Sequence, residues 1–148
     1  MPITYAVQPH DRIVVVTFGG SLALDDYART LREALADPRY EPGSALLLDA
    51  QGLERLPSVD DLRGLVHLAR ELSARGVEPF AIVTANDLQY LAARLFATLA
   101  GATINLETRV FRTPDVARQW LRNALAVRTT AAPVAEDRLG SGSASVPS

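Results

Sequence analysis

A chain of 148 residues has the length of one domain, and folding at that size removes roughly 70% of the surface its unfolded form exposes, enough for a core without covalent staples. Cysteine is absent, which excludes disulfides, thiol nucleophiles and thiolate metal sites together and fits a reducing, cytoplasmic setting. A net charge of −2, from 15 basic and 17 acidic residues with the arginines scattered among acids, excludes the basic footprint that nucleic-acid binding needs. The opening Met1-Pro2-Ile3-Thr4-Tyr5 lacks the basic start and apolar core of an export signal. The most apolar stretch, 88–102, holds Arg94 and is shorter than the roughly 18 to 20 apolar residues of a membrane span, so a soluble protein is expected.

Residues 3–8 and 12–18 are rich in β-branched side chains and separated by Pro9-His10-Asp11, which predicts two antiparallel strands. Leu24, Tyr27, Ala28, Leu31, Ala34 and Leu35 then recur at helical spacing, Asp25 and Asp26 occupy the first turn, and Asp37-Pro38 ends the helix. Ala45 to Asp49 is apolar without alternation, the pattern of a central strand covered on both faces. Leu62, Leu65, Val66, Ala69 and Leu72 form the inner stripe of a second helix, with Ser58 as its cap, Asp61 as the capping-box partner and Arg75-Gly76 as its close.

Phe80 to Thr84 predicts a second buried strand, Asp87 to Ala100 a third helix, and Thr108 to Phe111 a last strand after Gly101. Thr113-Pro114-Asp115 starts a fourth helix, whose buried stripe is expected at Val116, Ala117, Trp120, Leu121 and Ala124. After Val127 large apolar residues become sparse, and 128–148 is expected to be a disordered tail behind a domain of residues 1–127. The order is ββαβαβαβα, and each strand-helix-strand unit requires parallel pairing with a right-handed crossover. The fold class expected is α/β, a mixed, mostly parallel five-stranded sheet flanked by four helices.

This order, the Leu46-Leu47-Leu48-Asp49-Ala50 strand with its capped loop, and the closing phrases Thr108-Arg109-Val110-Phe111 and Ala117-Arg118-Gln119-Trp120-Leu121 resemble the SpoIIAA-like branch of the STAS superfamily over about residues 3 to 125. The resemblance implies that fold and a regulatory or interaction role. In anti-sigma-factor antagonists of that superfamily the strand is followed by Asp-Ser-Ser-Gly, whose first serine is phosphorylated. Counting onward places Ser58 at that phosphoacceptor position, with Pro57, Val59 and Asp60 where the pattern has Asp, Ser and Gly. The branch also resembles apolar-ligand carriers of the CRAL-TRIO type, which implies a lipid, a membrane surface or another apolar small molecule as an alternative partner.

Read from the residues alone, Ser58 is first a helix cap. Asp49 falls at the carboxyl end of a central strand, where open α/β sheets place ligands, together with Gly19, Gly20, Ser21, Thr84 and Asn86. The Gly-Gly-Ser run lacks the lysine and glycine spacing of a phosphate loop and reads as a turn, and Asp49 reads as a bond to its own loop amides. His10 and His67 have no partners at ligand spacing, so no metal or other cofactor is expected. Ser58, His67 and Asp49 come without a nucleophile elbow, and no enzyme is expected.

The third helix is apolar on two sides. Leu88, Leu91, Ala92, Leu95, Phe96 and Leu99 are assigned to the core, which leaves Tyr90, Ala93 and Ala97 as an outer stripe fit for a partner or a second copy. A non-catalytic interaction module, forming a homodimer or binding another protein through this helix and the surface around Ser58, is the leading reading and expects a filled core. An apolar-ligand carrier would instead part helices two and three over Leu65, Leu72, Leu88, Leu95 and Leu99 around a cavity of a few hundred Å³. An enzyme would begin from Asp49.

Overall fold

The central segments 45–48 and Phe80–Val83 are buried at every position, so their amides are satisfied by pairing with neighbouring strands, and five segments join in one sheet. The computed structural model describes residues 3–140, with side chains through residue 128. Its elements are β1 (Thr4–Gln8), β2 (Ile13–Gly20), α1 (Leu24–Ala36), β3 (Ala45–Leu53), α2 (Val59–Ala74), β4 (Phe80–Val83), α3 (Asp87–Ile104), β5 (Thr108–Phe111) and α4 (Pro114–Gly140). The sheet order is β1-β2-β3-β4-β5. β1 is antiparallel to β2 and all other neighbours are parallel, so the expected mixed α/β sheet is the one formed.

Each parallel strand lies beside its predecessor, so three right-handed crossovers stack α1, α2 and α3 on one face. That face holds the larger core, in which Val16, Phe18, Leu46, Leu48, Phe80 and Ile82 of the strands meet Tyr27, Leu62 and Phe96 of the helices. The other face carries α4 alone, with Ala117, Leu121 and Leu125 packed on Ile13, Leu47 and Val83. Val116, expected in that stripe, is 56% exposed; the helix turns so that Ala117, Leu121 and Leu125 face the sheet at a spacing of four.

Several boundaries depart from the sequence reading. Gly19 and Gly20 do not turn the chain but extend β2, pairing with Gly52 and Leu53 of a β3 that runs four residues past Asp49. Gly101 lies inside α3, which ends where Asn105 adopts the left-handed conformation at φ 56°; asparagine tolerates that region better than most residues. α4 continues beyond Val127, where the tail was expected to begin, to Gly140 through a segment with Ala131, Ala132 and Ala135, residues of high helix propensity. Residues 141–148 lie outside the described residues.

Candidate functional site

The cap expected at Ser58 is present as a full box. Ser58 Oγ accepts from the Asp61 amide at 3.0 Å, and Asp61 Oδ2 accepts from the Ser58 amide at 2.9 Å. The serine is exposed at the start of α2.

The strand-end cluster is brought together but each member is used locally. Asp49 Oδ1 accepts from the amide and the side chain of Gln51 at 3.1 and 3.0 Å. Thr84 is fully buried and donates to the Phe111 carbonyl at 3.2 Å. Asn86 caps α3 by accepting from the Gln89 amide at 2.9 Å, and Gly19 and Gly20 belong to the sheet. His10 and His67 are exposed, and His67 faces Glu71 at 3.4 Å.

α3 is turned by about one residue position, roughly 100°, from the orientation assigned to it, and Phe96 is buried in both. Its buried residues are Gln89, Ala93, Phe96 and Ala100, whereas Leu88, Leu91 and Leu95 are 63%, 64% and 48% exposed. Ala93 thus faces the core. Ala97 is half-buried, and Tyr90 is half-buried beneath the guanidinium of Arg112, 4.5 Å from its ring. The reason is geometric: small side chains at 93 and 100 let the helix lie close on the sheet, with Phe96 filling the space between them, whereas a leucine face would hold it away.

Gln89 fixes this seating. Its Oε1 accepts from the Ala85 amide at 2.7 Å and its Nε2 donates to the carbonyls of Leu53 and Gln51 at 2.9 and 3.3 Å. The loop after β3 is thereby tied to α3, and between them opens an apolar cleft. Phe18, Leu48 and Ile82 form its floor, Tyr27 and Leu62 a wall, and Ala92 and Ala93 the side formed by α3, with Leu56 and Pro57 also lining it. Leu56 is 45% exposed. The cleft encloses about 60 Å³, well below the roughly 300 Å³ at which ordinary ligand pockets begin. Of the stripe expected to open around a ligand, Leu65 lines the cleft, but Leu72 is in the core and Leu88 and Leu95 point outward.

Sequence reading placed Tyr27 in the core and missed its part in this cleft. The one signal was Gln89, a polar residue inside the longest apolar stretch.

A family model described as SpoIIAA-like matches residues 13–122. The chain belongs to the SpoIIAA-like family. The crystal structure of an uncharacterized protein with a SpoIIAA-like fold, from the DUF3478 family of Shewanella loihica PV-4, is similar to this SpoIIAA-like domain with a TM-score of 0.56 and 24% identity over 80% of this chain and 91% of that one. That likeness is one of fold, and it agrees with the sheet order and helix placement above. No functionally curated protein matches the chain. The family lies within the STAS superfamily and is generally non-enzymatic. Among the described residues no helix is long and apolar enough to cross a membrane.

Proposed function

We propose that this SpoIIAA-like domain is a non-catalytic binding module that acts by protein–protein contact or self-association, with the outer face of α3 as its contact surface. The observation that carries this reading is the row of Leu88, Leu91 and Leu95, all largely exposed on one face of the helix. Residues at these spacings share a face, and burying the part of each leucine that is still exposed against a partner contributes about 1–2 kcal/mol. Leu56 stands at the neighbouring cleft and extends the apolar surface beyond the helix. Asp49, Thr84 and Asn86 at the strand ends are engaged in caps and local bonds, which supports apolar contact over polar recognition there.

Sedimentation of the full chain over a range of concentrations tests self-association. A dimer that Leu91→Asp converts to monomer supports the reading. A chain that stays monomeric throughout, with Leu91→Asp indistinguishable from the parent, counts against self-association.

The cleft itself favours a second reading, that of a carrier for a small apolar ligand. Native mass spectrometry of gently purified protein tests it directly: a stoichiometric organic adduct supports a carrier, and a bare protein mass counts against one.

A further inference from the structure

Among the side chains that line the cleft, only Tyr27 and Gln89 carry polar atoms. Gln89 is spent, its amide donating to two carbonyls and accepting from the Ala85 amide. Tyr27 is 2% exposed, in ring contact with Phe18 at 5.1 Å, and its hydroxyl has no hydrogen-bond partner among the described residues. The hydroxyl is not sealed off, since the enclosed side-chain polar atoms without a hydrogen-bond partner among the described residues are Arg12 Nε and Thr108 Oγ1; it is therefore an unspent donor that an incoming acceptor can reach. A water in the cleft would meet too few polar groups to be held, since ordered buried waters make about three hydrogen bonds.

We infer that the cleft takes a small apolar molecule with one neutral acceptor oxygen, of the ketone, ester or ether class, seated with that oxygen on the Tyr27 hydroxyl and its carbons directed toward Leu56 and the mouth. This rests on the reading of the cleft as a ligand site. Burial raises the Tyr27 phenol well above its ordinary range, so the group remains a donor at neutral pH. No cationic side chain lines the cleft, and a carboxylate would enter it uncompensated, which selects a neutral acceptor. The enclosed space of about 60 Å³ holds the head of such a molecule and leaves its remainder in the open mouth.

Acetophenone and α-methylstyrene have nearly the same shape and differ in an acceptor oxygen against a methylene, so they separate the hydrogen bond from the apolar contact. Both are titrated by NMR into the full chain and into Tyr27→Phe, following the methyl groups of Ala92 and Leu62. The expected result is that Tyr27→Phe lowers the ketone-to-alkene affinity ratio by roughly twofold to tenfold, the value of one net hydrogen bond, and leaves the alkene's affinity unchanged. In the parent protein the Cζ resonance of Tyr27 should move with the ketone and not with the alkene, a readout that does not depend on the variant folding. Equal ratios in the two proteins, or equal Cζ shifts with the two probes, overturn the inference while the ligand reading stands. Failure of both probes to shift the cleft methyls overturns the inference and the ligand reading together.

Discussion

Gly52 of β3 passes so close to Phe18 of β2 that a Cβ placed on it would lie 2.5 Å from the Phe18 carbonyl oxygen. The contact occurs at a register shift, where Ala50 and Gln51 of β3 together face the single residue Phe18 between the pairs Thr17–Asp49 and Gly19–Gly52. Such a bulge bends the strand and re-aims its side chains. Here it leaves Phe18 and Ala50 lining the cleft and directs the Gln51 and Leu53 carbonyls to Gln89.

Gly52→Ala should therefore destabilise the domain by about 1–3 kcal/mol, because the clashing atom is backbone and the strands must separate to admit a methyl group. Gly64→Ala is the control. Its Cβ would also come within 2.5 Å of a neighbour, but that neighbour is Leu24 Cδ1, the end of a side chain that can rotate, and alanine gains about 1 kcal/mol of helix propensity over glycine. Chemical denaturation of both variants should show a large loss for the first and a change within about 1 kcal/mol of zero for the second.

Ser58→Ala removes the acceptor for the Asp61 amide at the start of α2 and should lower stability by about 1 kcal/mol. Asp61→Ala removes the reciprocal bond and should cost a similar amount. The double variant should cost less than the sum of the two, because either single change already breaks the box. Full additivity in urea melts would show that the two bonds act independently.

How far the sequence could be read depended on which faces were unambiguous. The capping box was legible because Ser58 and Asp61 are neighbours in the chain, and the central strands because no polar residue interrupts Ala45 to Leu48 or Phe80 to Val83. α3 was misread because it is apolar nearly all round, so that periodicity could not choose between its leucine face and its alanine–phenylalanine face. The choice was made by Gln89, whose three hydrogen bonds reach back to the end of β3 and across to Ala85. Tyr27 looked like one more core residue, since nothing in the chain reveals that its hydroxyl meets no partner.

Asp37 makes the domain sensitive to acid. It accepts from the amide, Nε and Nη2 of Arg39 and from the Tyr5 hydroxyl, tying the edge strand β1 to the end of α1. The Arg39 hydrogen bonds come first among the causes that hold its carboxyl well below the ordinary range. A group whose folded pKa is depressed contributes stability that is complete above its unfolded value, about 3.9, and is lost as pH falls from there toward the folded value. Asp37→Asn should thus be less stable than the parent at neutral pH, with the gap narrowing as pH drops below about 4. Urea melts in neutral and acidic buffer measure it, and a gap that does not depend on pH would assign the loss to packing.

The orientation of α3 is tested by comparing residues one helical turn or so apart. Phe96 is 4% exposed and lines the cleft, whereas Leu91 is 64% exposed. Truncating a buried phenylalanine costs about 3–5 kcal/mol, through lost transfer energy and the cavity left behind. Phe96→Ala should fall in that range and widen the cleft, while Leu91→Ala, at a position already in water, should change stability by no more than about 0.5 kcal/mol. The widened variant should also bind apolar probes such as α-methylstyrene more tightly than the parent if it folds, because an enlarged dry cavity accepts carbon without displacing bound water. A large loss on truncating Leu91 with little at Phe96 would put the leucine face on the sheet and remove both the contact surface and the cleft as described.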